Sequence, residues 1–183
     1  MKQLLFLLLL IGFISCNGPE PRRPVKVKTG SFIKESVERN KELLQKEEKL
    51  IQEIIAKDSL HSYLASANNS WYYYEVKNET SDYYPQPDDL VILRYNVVSF
   101  ENDTIYRMQD MGEVNYKVDK QELFPGLRLS VKLLKENETA TFLFPSSMAY
   151  GYHGDGKKIG VNVPIKTTIS IHKIVKQEDS VQN

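Results

Sequence analysis

Between residues 70 and 177 the chain offers a single stretch of helical pattern, LFPGLRLSVKLLKEN (residues 123–137), set among six runs of strand character. Those runs are WYYYEVK (71–77), LVILRYNVV (90–98), DTIYRM (103–108), VNYKV (114–118), TATFLFP (139–145) and TTISIHKIV (167–175). Each is rich in β-branched and aromatic residues and is bounded by turn formers. In the exception, Pro125 suits a first helical turn, and Leu127, Val131 and Leu134 then recur on one face. One short helix among antiparallel strands predicts an α+β domain in which the helix covers one face of the sheet.

Upstream the pattern changes. From residue 31 to about 69 the spacing predicts a helical leader. Val37, Leu44 and Ile51 recur at sevens, Leu43 and Leu50 sit beside them, and Ile54 and Ile55 extend the stripe. Ser31 or Thr29 is a candidate cap. The stripe must bury itself, either on the following domain or on a second copy. Asn40 and Glu47 interrupt it, which favours packing on the domain, or a weak homodimer through residues 31–66, over a long coiled coil.

The first residues, MKQLLFLLLLIGFISC, carry a positive start and a short apolar run, the form of a secretory signal (residues 1–15). FISC resembles a bacterial lipobox, with Phe13 in place of the usual leucine, and makes Cys16 the candidate lipidation site. The only cysteine of the chain cannot form an internal disulfide, and acyl chains on it would anchor the protein to a membrane. An ordinary signal peptide with an unrelated thiol is the alternative. Residues 16–30, with Pro19, Pro21 and Pro24, read as an extended tether, and residues 178–183 as a polar tail.

Several chemistries find no support. The 183 residues balance to a net charge of +0, and no basic groove accompanies the aromatic WYYY, so nucleic acid is not an expected partner. His61, His153 and His172 have spacings that suit no shared metal site. No nucleophile paired with a base and no phosphate loop after a strand is present, so neither metal nor cofactor is expected.

The segments LFPGLRLSVKLLKENETATFLFPSSMAYGYHGDG and VPIKTTISIHKIV together resemble the core of the FKBP-type peptidyl-prolyl isomerases. The likeness covers residues 88–175. It includes Gly126 at the helix start, the turn at Lys135, Glu136 and Asn137, the pair Pro145-Ser146, the triplet Ala149-Tyr150-Gly151 and the single Pro164. It implies an antiparallel half-barrel sheet wrapped around one short helix, with an apolar cup between them that holds a proline ring. A lipobox and a charged helical leader ahead of such a domain further resemble the lipoprotein isomerases of gliding bacteria of the Bacteroidetes group. That implies an envelope protein, lipid-anchored and facing the periplasm, with proline-containing protein clients.

By the resemblance, Tyr150 donates a hydrogen bond to a carbonyl of the bound peptide, the backbone N–H of Phe124 is a second donor, and Tyr95 walls the cup. Leu123, Leu127, Ile105, Tyr106, Val114, Val163 and Ile171 complete the lining. The reaction is rotation about an Xaa-Pro bond and needs no bond cleavage. A water-poor cup suits it, because twisting the amide makes it less polar.

Departures from the family are specific. Leu127 stands where a tryptophan is usual, Ile105-Tyr106 replaces a Phe-Asp pair, and Val114 and Ile171 replace aromatics. The expected cup stays apolar but lacks several rings and a buried carboxylate. Two functions follow: a slow isomerase, or a non-catalytic module that holds proline or apolar segments, as a chaperone or an envelope-complex subunit.

Overall fold

The structure is a computed structural model and describes residues 29–177, with side chains from residue 33. The expectations for the signal segment, Cys16, most of the tether and the tail fall outside the described residues. The chain divides into two compact units, residues 1–37 and 38–183. The described part of the first is the opening of helix α1 (Thr29–Lys57), on which Ile33 and Val37 are exposed.

All other elements belong to the second unit. Strands β1 (Leu64–Ala65), β2 (Trp71–Val76), β3 (Leu90–Tyr95), β4 (Val97–Val98) and β5 (Thr104–Tyr106) come first. Helix α2 (Met108–Met111), β6 (Val114–Lys117), helix α3 (Pro125–Val131), β7 (Thr139–Phe144) and β8 (Ile165–Val175) follow. The strands form one antiparallel sheet ordered β1-β2-β7-β8-β3-β6, with β4 bridging β5 and β8.

The helical leader ends at Lys57, short of the expected residue 69. The side chain of Asp58 decides this. It bonds the N–H of Leu60 at 3.0 Å, the ring of His61 at 2.8 Å and the hydroxyl of Tyr63 at 3.0 Å. Such local bonds compete with helix propagation, and the chain turns to pair β1 with β2. The run at 90–98 is likewise interrupted at Asn96. Its N–H donates to the Thr168 carbonyl at 3.2 Å, while its Oδ1 accepts the Thr168 N–H at 2.8 Å. This pinch lets β3 and β4 diverge. The run at 103–108 is strand only to Tyr106, and one helical turn follows it.

The core lies between α3 and the inner face of the sheet. Leu127, Val131 and Leu134 meet Val91, Leu93, Phe142, Phe144, Ile165 and Ile169, all with no exposed surface. Along β8, alternate residues from Ile165 to Ile171 are buried, as one core-facing side of a pleated strand requires. A Cβ on Gly126 would lie 2.7 Å from both the Met148 carbonyl and the Phe144 ring. Only glycine lets α3 approach so closely the loop that carries Tyr150.

Strand β7 is buried on both faces, since Leu143 is as inaccessible as Phe142 and Phe144. Helix α1 covers the outer face from Glu38 onward. Glu47 and Ile51, one turn apart, are its buried positions. Leu43, Leu44, Ile51, Ile54 and Ile55 of the stripe are wholly or partly buried on the domain, whereas Val37 and Leu50 are exposed. Glu47 enters that packing through its Oε2, which accepts the backbone N–H of Ser146 at 2.8 Å. Among the described residues no helix is long and apolar enough to cross a membrane.

Candidate active site

The loop after β7 contains two 3₁₀ turns, Ser146–Met148 and Gly151–His153, with Tyr150 between them. Pro145 ends the strand, and buried Ala149 anchors the loop so that the Tyr150 ring turns inward. That ring lies 5.1 Å from the ring of Phe124, which stands extended just before α3. Phe124 also meets Tyr95 edge-on at 6.2 Å and Phe144 at 5.8 Å. Three separate chain segments thus converge on one aromatic residue.

The ten residues expected to line the cup all fall in, or against, one extended apolar cluster that includes Phe124. Tyr95, Phe124, Leu127 and Ile171 are buried and belong to the core. Leu123, Ile105, Tyr106, Val114, Tyr150 and Val163 are half-buried and pack against the same cluster. The four buried residues make a floor and the six half-buried ones its rim.

The phenols of Tyr150 and Tyr95 interact electrostatically. Burial, then the neighbouring Tyr95, Asp155 and Tyr106, push the Tyr150 hydroxyl above the ordinary phenol range. Tyr95 is raised mainly by burial, and a hydrogen bond with Tyr150 partly offsets this. Both hydroxyls therefore stay protonated at neutral pH, which a hydrogen-bond donor requires.

A carboxylate reaches the rim from an unexpected direction. The Tyr106 hydroxyl donates to Oδ2 of Asp155, which comes from the flap and not from the strand. Oδ1 of Asp155 accepts the N–H groups of Lys157 and Ile159, each at 2.8 Å. Burial alone would raise this carboxyl, but the bonds from Tyr106 and the flap N–H groups hold it below the usual range. Lys158 closes the same contact. Its Nζ donates to the Ile105 carbonyl at 3.2 Å and lies 4.9 Å above the Tyr106 ring. The turn depends on Gly154 at φ 64°, where a Cβ would stand 2.4 Å from the Ile159 carbonyl. Buried Ile159 pins the far end of the flap.

Asp155, Lys158 and Glu47 are absent from the sequence-derived set. Gly154-Asp155-Gly156 is legible as a turn, but nothing in it marks Tyr106 as a partner 49 residues away. Among the described residues no group of three or more His, Cys, Asp or Glu side chains is placed to hold a metal ion.

Comparison with known proteins bears on this arrangement. The family model of FKBP-type peptidyl-prolyl cis-trans isomerases matches residues 81–172. The probable FKBP-type peptidyl-prolyl cis-trans isomerase FkpA of Neisseria meningitidis serogroup B is 28% identical over 136 residues. That alignment takes in 74% of this chain and 48% of the relative, so the chain spans about half the length of the relative it matches. Two solved structures share the fold. A peptidyl-prolyl cis-trans isomerase from Pseudomonas syringae pv. tomato aligns with a TM-score of 0.59 at 14% identity, over 74% of this chain and 96% of its own. FkpA from Escherichia coli aligns with a TM-score of 0.58 at 15% identity, over 96% of this chain and 82% of its own.

Proposed function

The chain belongs to the FKBP-type peptidyl-prolyl cis-trans isomerase family, and from that premise we propose that it accelerates rotation about Xaa-Pro bonds in protein clients. The observation that carries the reading is the Tyr150 ring set 5.1 Å from Phe124, in one apolar cluster with the buried floor residues Leu127 and Ile171. A proline ring is apolar and gains by leaving water for such a floor. The rotation barrier is about 18–20 kcal/mol and arises from amide resonance. Resonance makes the planar amide more polar than the twisted one, so a site with little water disfavours the ground state relative to the twisted state. The Tyr150 hydroxyl leaves Tyr95 and donates to a carbonyl of the client. That holds one side of the bond while the prolyl side turns. No nucleophile or proton transfer enters the step.

The test is exchange between cis and trans forms of a short Xaa-Pro peptide. Acceleration that falls with Tyr150→Phe supports the reading. Acceleration absent, or untouched by that change, overturns it.

The setting is a further part of the proposal. The short apolar start and the lipobox-like FISC support a lipid anchor on Cys16 in the cell envelope, facing the periplasm, where exported proteins fold. The likeness to isomerases of gliding bacteria supports a part in motility. Mass spectrometry of the N-terminal peptide from envelope fractions tests the anchor, since an unmodified Cys16 thiol would exclude it.

A second reading, holding without turnover, is favoured by exposed apolar side chains beside the site: Leu50 on α1, Tyr152 and Val161. It expects suppression of client aggregation that survives Tyr150→Phe.

A further inference from the structure

Glu47 is 3% exposed, and only one of its two carboxylate oxygens has a partner. Oε2 accepts the Ser146 N–H, whereas Oε1 is shielded from solvent and bonded to nothing. A buried acceptor without a donor is unfavourable, and more so when charged. The bond to Ser146 does not account for the charge, because a neutral glutamine would accept the same N–H. The free oxygen therefore points to a missing donor.

Glu47 lines a hollow of about 300 Å³ between α1 and the loop that carries Tyr150. Leu43 and Leu44 form its helix side, and Ser147 and Tyr152 its loop side. Asn162 closes this hollow and opens a second one of about 270 Å³. The second is walled by Leu50 and Ile54 on α1 and by Val163 and Pro164 at the flap base. Val163 also packs at the rim of the active site. The two hollows thus adjoin at Asn162 and make a cleft along the helix, with Val163 between it and the apolar cluster that holds Tyr150. Its charges are unequal: Glu47, Glu53 and Glu101 face a single ammonium, Lys57.

We propose that this cleft is an extended subsite for the client stretch next to the substrate proline, and that it selects a lysine or arginine whose cation, on entering, draws Oε1 of Glu47 out of its shielded position by side-chain rotation and bonds it. The proposal rests on the prolyl-isomerase reading. Long basic side chains match the lining, since their methylene stems pack on leucines while the head reaches a carboxylate. An acidic client residue would meet three carboxylates and is disfavoured. The subsite lies on the helical leader as much as on the isomerase domain, so the leader contributes to substrate choice.

The experiment uses pairs of Xaa-Pro peptides in which lysine is scanned through the four positions on each side of the proline and replaced in turn by norleucine, which keeps the stem and lacks the charge. The quantity read is the ratio of kcat/KM for lysine over norleucine, so that changes common to both peptides cancel. The wild-type chain is expected to favour lysine about tenfold at one position, and the ratio to shrink in 0.5 M salt. Glu47→Gln should bring the ratio near one. So should Leu43→Lys, which sets a resident ammonium one turn from Glu47 and protects the test if the first variant folds poorly. A ratio near one at every position in the wild type, or a preference that survives both variants, overturns the proposal. If neither peptide is turned over, the isomerase reading fails by itself. Fluorescence anisotropy of the same peptides then decides the subsite: lysine binding tighter than norleucine and levelled in both variants supports it, and equal binding overturns it.

Discussion

The carboxylate of Glu47, on helix α1, accepts a hydrogen bond at 2.8 Å from the backbone N–H of Ser146, 99 residues later and four residues before Tyr150. It ties the helical leader to the loop that shapes the active site. Glu47→Ala removes the acceptor and leaves the Ser146 N–H buried without a partner. The expected loss of stability is about 1–3 kcal/mol, read as a lower urea midpoint with an unchanged slope. A variant as stable as the parent would show that the tie is incidental.

Tyr106 and Asp155 join the flap to β5. Tyr106→Phe and Asp155→Ala should each lower kcat/KM severalfold, because either one removes the hydrogen bond that joins the flap to β5. The double variant should be little worse than Asp155→Ala alone, since that change already removes the shared contact. Fully additive losses in that cycle would mean that the two residues act separately.

Tyr150→Phe keeps the ring against Phe124 and deletes only the hydroxyl. With the apolar floor intact, peptide binding should persist, while kcat falls about tenfold, corresponding to a lost bond of roughly 1.4 kcal/mol. Tyr150→Leu should weaken binding as well, because the aromatic contact goes with it. Equal kinetics for Tyr150→Phe and the parent would remove the hydroxyl from the mechanism.

The pH response follows from the direction of the shifts. The Tyr150 phenol is held above its ordinary value of 10.0, first by burial. A group whose folded pKa is raised supports the fold below its unfolded pKa and loses that support as pH climbs further. Thermal midpoints should therefore decline above about pH 10, and less steeply in Tyr150→Phe. Asp155 is shifted downward, so its contribution is present above about pH 3.8 and disappears as pH falls through the lower folded value. Between about pH 5 and 9 neither group titrates, and the isomerase rate should show no limb from them. A rate limb near neutrality that Tyr150→Phe abolishes would contradict this.

Legibility in the sequence divides along a physical line. The strands at 71–76 and 139–144 and the helix at 125–131 were readable, because side-chain periodicity reports which face each segment buries. The candidate site residues came from the family resemblance around Ala149-Tyr150-Gly151 and its flanking strands, not from periodicity. The leader was overextended past Lys57, since the bonds that Asp58 makes to Leu60, His61 and Tyr63 depend on side-chain geometry and not on hydrophobic pattern. Glu47 looked like a flaw in an apolar stripe, whereas its place in the fold is opposite a buried N–H that needs an acceptor.

The sequence by itself determined the elements and the apolar nature of the site, because burial preference and backbone propensity are local properties of residue types. Tertiary structure alone decided which polar groups meet: Glu47 with Ser146, and Asp155 with Tyr106. A hydrogen bond requires partners within about 3 Å and in a defined direction, and separations of 99 and 49 residues reach that range only once the sheet has closed around α3 and α1 has settled on its outer face.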